Sequence, residues 1–192
     1  MSLFTVNTDM IKTSWYTLIP LKYDLDKLVS WAQEIQSLSK PQDTIGHVSN
    51  KQRFWLTSLV PEVWQQCNEI MPCIDYWTGH RLGGSLGPRN CSIWEYPVYD
   101  ELLPHIDNTD GVGGYPGKTS LIIPLIGDFT TWYFTDDTCT EKADQVTYSP
   151  GSIFVMKNWD RYHGGEPVSD YRLCLHVFSQ TDIDDYLDVL FD

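Results

Sequence analysis

The spacing of apolar positions changes twice along this chain. Leu25, Leu28, Val29, Ala32, Ile35 and Leu38 recur at the spacing of one helical face. Asp24 can cap the start of that helix and Pro41 stops it. Val63, Trp64, Cys67, Ile70 and Met71 repeat the pattern and predict a second helix over Pro61–Ile70, ended by Pro72. From Asn90 the texture becomes short β-branched and aromatic runs broken by Gly, Pro and Asp. Strands are predicted at Cys91–Tyr96, Leu103–Asp107, Thr119–Ile126, Thr130–Thr135, Gln145–Tyr148, Ser152–Met156, near Tyr162–His163, and at Tyr171–Ser179. Turn signals such as Gly127-Asp128 and Pro150-Gly151 separate them. Eight short strands at this density point to a sandwich or barrel, and the jelly roll is the eight-stranded option.

The chain ends in a helical pattern. Ile183, Tyr186, Leu187, Leu190 and Phe191 mark one face, Asp182, Asp184, Asp185 and Asp188 the other, with Thr181 as cap. It reads either as a solvated helix packed on the barrel or as a subunit contact through Tyr186, Leu190 and Phe191. The expected architecture is therefore mainly β with flanking helices, a single domain over 1–192. Residues 1–89 supply helical support and lead-in strands, 90–180 form a double-stranded β-helix (jelly roll) core, and 181–192 form the C-terminal helix. A length of 192 residues agrees with one domain.

The longest apolar run, Leu121–Ile126, is strand-sized, so no membrane span is predicted. Lys and Arg number 13 against 26 Asp and Glu, a net charge of −13. Phosphate backbones are bound by Lys and Arg, so no nucleic-acid partner is expected. The five cysteines, Cys67, Cys73, Cys91, Cys139 and Cys174, form no CxxC, and Met1–Trp15 lacks the pattern of a signal peptide. A reducing, cytoplasmic setting with buried free thiols is the expectation.

Among His47, His80, His105, His163 and His176, two have informative neighbours. His105-Ile106-Asp107 lies in a predicted strand, where residues two apart share a face. His163 precedes a glycine turn, Gly164-Gly165. Two imidazoles and one carboxylate can occupy one face of an octahedral metal and leave three positions open, the arrangement of non-haem Fe(II) oxygen chemistry. In the last strand Arg172, Cys174, His176 and Phe178 share a face. An Arg on the inner face of a barrel needs an anion, either a protein carboxylate or that of a small molecule. His176 reads as a core histidine or a contributor to the same site. His47 and His80 read as surface or packing residues, Trp94, Trp132 and Trp159 as core or rim packing. The Gly-rich stretch Arg81–Gly87 reads as a loop with no phosphate-binding signature, and Gly111–Gly117 as a mobile loop near the barrel mouth.

The stretch from Ser92 to Gln180 resembles the 2-oxoglutarate/Fe(II)-dependent oxygenases, and most the prolyl-hydroxylase-like branch. Glu95-Tyr96-Pro97, Pro104-His105-Ile106-Asp107-Asn108, Gly151-Ser152-Ile153-Phe154-Val155, His163-Gly164-Gly165-Glu166-Pro167-Val168 and Tyr171-Arg172 carry the likeness. The resemblance implies that His105, Asp107 and His163 ligate Fe(II). It also implies that Arg172 binds the distal carboxylate of 2-oxoglutarate and that Tyr96 hydrogen-bonds the same group. It further implies O2-dependent hydroxylation of an unactivated C–H bond in a prolyl or other peptidyl residue or a free amino acid, with release of succinate and CO2. Two positions depart from the branch. Pro124 stands near where a second Tyr is often found, and Cys174 stands where many members have Ser or Thr. These departures keep open a non-catalytic jelly-roll module that binds a metal or ligand; a metal-dependent cupin-type enzyme that does not use 2-oxoglutarate is a second alternative, and a nucleic-acid demethylase of the same family, against which the −13 charge weighs, is a third.

Overall fold

The computed structural model describes residues 11–12, 15–41, 52–56, 59–71, 81–82, 85–86, 91–98, 101–107, 119–157, 161–166 and 169–179. Strands β1 (Ile11–Lys12) and β2 (Tyr16–Pro20) lead into helix α1 (Leu25–Leu38). Then come β3 (Gln52–Trp55), α2 (Pro61–Ile70), β4 (Arg81–Leu82) and β5 (Ser85–Leu86). The β-rich part holds β6 (Cys91–Tyr96), β7 (Leu102–His105), β8 (Thr119–Ile126) and β9 (Phe129–Phe134). It closes with β10 (Lys142–Tyr148), β11 (Ser152–Lys157), β12 (His163–Gly165) and β13 (Arg172–Ser179).

The large sheet runs β1-β2-β11-β8-β13-β6-β3 and the small sheet β10-β9-β12-β7. From β6 to β13 the chain changes sheet at every connection except the β9–β10 hairpin, which is the winding expected of a jelly roll. All these ladders are antiparallel, and the eight strands are those the alternation predicted, shifted by a few residues at their ends. β2 and β3 extend the large sheet beyond the roll by pairing with β11 and β6.

Two apolar layers follow from one strand. In β13, Leu173, Leu175 and Val177 turn outward into a core shared with Leu28 and Ala32 of α1 and Val63, Cys67 and Ile70 of α2. Cys174 and Phe178 turn inward to meet Phe129, Tyr133, Tyr148 and Phe154. The large sheet is thus buried on both faces, and burying each Leu fully stabilises by about 1.5–3 kcal/mol. Asp24 caps α1 by accepting from the Lys27 amide at 3.2 Å. α2 starts on Pro61, whose missing N–H is no loss in a first turn. Buried Gln66 pins α2 to the end of β2, accepting from the Lys22 amide at 2.9 Å and donating to the Pro20 carbonyl at 2.8 Å.

The expected loop at Arg81–Gly87 is corrected. Arg81 pairs with Leu86 and Leu82 with Ser85 as a two-stranded ladder. The intervening sequence is Gly83-Gly84, a pair that two-residue hairpin turns favour. The predicted C-terminal helix, His47, His80, Cys73, Trp159 and Gly111–Gly117 lie outside the described residues. Among the described residues no helix is long and apolar enough to cross a membrane.

Candidate metal centre and its cavity

β7 and β12 are neighbours in the small sheet, and their register sets His163 opposite His105. The two imidazole centroids lie 4.5 Å apart. His105 Nε2 is 3.2 Å from Asp107 Oδ1. One ligand atom from each of His105, Asp107 and His163 falls within 4.8 Å of the other two. β7 ends at His105, so Asp107 is not on the strand that alternation assigned to it. Its carboxylate reaches the imidazoles because the chain leaves the sheet there, not because of the pleat.

Backbone carbonyls orient both rings. His105 Nδ1 is 2.7 Å from the Leu103 carbonyl and His163 Nδ1 is 3.0 Å from the Arg161 carbonyl. A carbonyl only accepts, so each Nδ1 donates, which leaves Nε2 as the ring atom available to a metal. This is how ligating histidines are held before a metal arrives. His163 is buried, while the side chains of His105 and Asp107 are 17% and 33% exposed, so the cluster is open on one side.

Arg172 opens β13 opposite Tyr96 of β6. Its guanidinium carbon lies 5.4 Å from the Phe129 ring centroid, and Tyr96 meets that ring edge-on at 5.5 Å. The Lys and Arg ion pairs among the described residues are Lys22–Glu69 and Lys27–Asp24, so no described carboxylate pairs with Arg172. Arg172, Tyr96 and the His–Asp–His cluster line one cavity of about 600 Å³, its open mouth included.

Other wall residues had no motif to mark them. Tyr148 and Thr131 come from β10 and β9, their hydroxyls 3.1 Å apart. Burial pushes the Tyr148 phenol up; its bond to Thr131 and the Arg172 charge offset part of that rise. Tyr148 therefore stays a neutral O–H at physiological pH. Glu166 stands exposed at the rim. His176 is buried in the wall between Trp94 at 4.5 Å and Phe178 at 4.2 Å. Trp94 is core and wall together, whereas Trp132 carries Lys142 over its face at 3.4 Å. Cys174 is buried and pairs with Pro124 in the ladder.

No family model matches the chain. A curated protein, cobyrinate a,c-diamide synthase of Methanobrevibacter smithii, is 31% identical over 104 residues, which are 53% of this chain and 20% of that protein. The chain spans about a fifth of that relative's length, and at that coverage the match carries no activity across. The likeness to solved structures covers nearly the whole chain. A Pseudomonas putida prolyl-4-hydroxylase superposes with TM-score 0.59 at 14% identity, over 88% of this chain and 94% of that one. OsALKBH1 gives 0.57 at 14% identity, over 89% and 100%. A Trichoplax adhaerens prolyl hydroxylase, solved with a peptide fragment of the hypoxia inducible factor oxygen degradation domain, gives 0.56 at 15% identity, over 94% and 88%. At these identities the likeness establishes the fold alone, one shared by all three of these proteins.

Proposed function

We propose that this protein is an Fe(II)- and 2-oxoglutarate-dependent dioxygenase. Its proposed reaction hydroxylates an unactivated C–H bond of a prolyl or other peptidyl residue, or of a free amino acid, and releases succinate and CO2. One observation carries the reading: two imidazoles with tied-back Nδ1 atoms and a carboxylate converge within 4.8 Å in the cavity that also holds Arg172.

The donor set fits ferrous iron. Two neutral nitrogens and one carboxylate oxygen make a facial triad. Bound there, the iron supplies oxygen activation coupled to decarboxylation of the 2-oxo acid. The protein's own part is positioning. His105 and His163 present Nε2, and Asp107 lowers the net charge at the metal. Arg172, with Tyr96 across the ladder, anchors the distal carboxylate through charge-assisted hydrogen bonds. Phe129 and Met156 line the walls, which keep bulk water from the reacting atoms.

The substrate class draws support from the prolyl hydroxylases among the structural neighbours, one of them solved with a peptide. The −13 charge suits a basic peptide or amino acid and disfavours nucleic acid. The free buried thiols Cys67, Cys91 and Cys174 suit the reducing cytoplasm.

The test is anaerobic titration with Fe(II) and 2-oxoglutarate, read as the metal-to-ligand absorption band, followed by a succinate-release screen over amino acids and Pro-containing peptides. A band and substrate-stimulated succinate are expected. Absence of the band leaves a binding module. Oxygen uptake without succinate means a cupin-type enzyme. Stimulation by nucleic acid, with binding that falls steeply in salt, overturns the substrate class.

A further inference from the structure

Pro124 and Cys174 are the two departures on the large-sheet wall. The two residues face each other in the β8–β13 ladder, and neither offers a strong hydrogen-bond donor there. Tyr96 and Arg172 serve the site from that same wall, and the opposite wall adds two hydroxyls. Thr131 and Tyr148 project into the cavity from adjacent strands of the small sheet, both nine-tenths or more buried.

Their hydroxyls make one bond to each other, at 3.1 Å, and no other partner for either is found among the described residues. Each hydroxyl owns one donor hydrogen. The mutual bond uses one of the two. One O–H donor is left in a buried wall that also holds a guanidinium, and an anion satisfies both.

The position of that donor is fixed. The Tyr148 ring stacks on Phe154 at 4.0 Å and on Phe129 at 5.8 Å, both at 17°. Phe129 is also the ring that Arg172 and Tyr96 surround, at 5.4 and 5.5 Å. Three polar groups from three strands thus gather about one phenyl ring. A clamped ring brings its hydroxyl to a ligand with little further loss of freedom.

We propose that the Tyr148 hydroxyl, oriented by Thr131, donates to the distal carboxylate of the 2-oxo diacid beside Arg172, in place of the donors absent at Pro124 and Cys174. This rests on the oxygenase reading and names a binding residue that no local motif marks.

Tyr148→Phe removes the oxygen and keeps the stacked ring. Two ligands are titrated anaerobically into the Fe(II)-loaded protein: 2-oxoglutarate, and 2-oxobutyrate, which has the same metal-binding head without the distal carboxylate. Tyr148→Phe is expected to weaken 2-oxoglutarate by roughly tenfold or more, as for a lost hydrogen bond to a charged group, and to leave 2-oxobutyrate unchanged. Thr131→Val, which frees the phenol without deleting it, is expected to weaken 2-oxoglutarate by less, and it carries the test if Tyr148→Phe does not fold. Equal weakening of both ligands, or none, overturns the Tyr148 assignment alone. Failure of the unmodified protein to bind 2-oxoglutarate overturns the oxygenase reading instead.

Discussion

Gly127 joins the fold to the candidate site, and a matched pair of substitutions measures that link. Gly127 turns the chain from β8 to β9 at φ +74°. A Cβ there would sit 3.0 Å from the Tyr171 carbonyl oxygen and 3.1 Å from Arg172 Cγ. Gly151 has a comparable backbone, φ +92°, but a Cβ there meets nothing within 4 Å. Gly151→Ala therefore reports backbone strain alone, about 1 kcal/mol. Gly127→Ala adds a clash against backbone and the Arg172 stem, for a total of about 2–3 kcal/mol. At ~2–4 °C per kcal/mol for a chain of this size, the melting temperature should fall by ~2–4 °C in Gly151→Ala and by ~4–12 °C in Gly127→Ala. The second readout is functional. Relieving the clash shifts the Arg172 stem and spoils the alignment of its guanidinium with a carboxylate, so Gly127→Ala should bind 2-oxoglutarate about 3–10-fold more weakly. Gly151→Ala should bind it normally. Calorimetric melting and the anaerobic titration measure both. If the two variants lose affinity equally, the effect runs through global stability. If neither loses any, Arg172 does not hold the diacid as proposed.

Three further outcomes follow from the metal cluster and the buried thiols. Asp107→Ala deletes the one carboxylate of the metal cluster among the described residues and should weaken Fe(II) binding by at least roughly a hundredfold, measured by anaerobic calorimetry; near-normal iron affinity removes Asp107 from the ligand set. Burial pushes the Cys67 thiol from 9.0 up to about 12, and burial with the nearby Cys67 pushes Cys91 higher still. Cys139 is more accessible, and slight burial followed by Asp136 and Asp137 raises it less. Iodoacetamide at pH 8, mapped by mass spectrometry, should therefore label Cys139 before Cys67 and Cys91, which react only after unfolding. Both core thiols ionise more easily in the unfolded chain, so their contribution is whole below pH 9 and is lost as pH rises from there through the folded values. A melting temperature flat from pH 8.5 to 10.5 would contradict their burial.

What the sequence made legible was what is local. Runs such as Leu173-Cys174-Leu175-His176-Val177-Phe178 alternate between two apolar layers, so each strand of the roll declares itself by its own pattern. β2 is a lesser case. Its Tyr16-Thr17-Leu18-Ile19 run has strand character, but it stands alone ahead of a strong helical pattern and gains its meaning only by pairing with β11. The metal cluster shows how a sound expectation can rest on an incomplete cause. His105 and Asp107 were assigned one face by the pleat, yet the strand stops at His105. Edge position and a proline explain the early stop: Pro104 has no N–H to give the ladder, and among the described residues β7 has a neighbour on one side only. The chain is then free to swing the Asp107 carboxylate toward both imidazoles, which the Leu103 and Arg161 carbonyls have already turned. The anion end of the cavity is harder to read for a different reason. Arg172, Tyr96, Thr131 and Tyr148 come from four strands of two sheets, and each looks locally like an ordinary wall residue. Tyr148 in particular reads as the last residue of a strand before Ser149-Pro150-Gly151. Its hydroxyl acquires a role only when the two sheets close over Phe129. A metal site built from neighbours in sequence can therefore be found by spacing, whereas a carboxylate site distributed across a jelly roll is found only by asking which buried donors the fold leaves uncommitted.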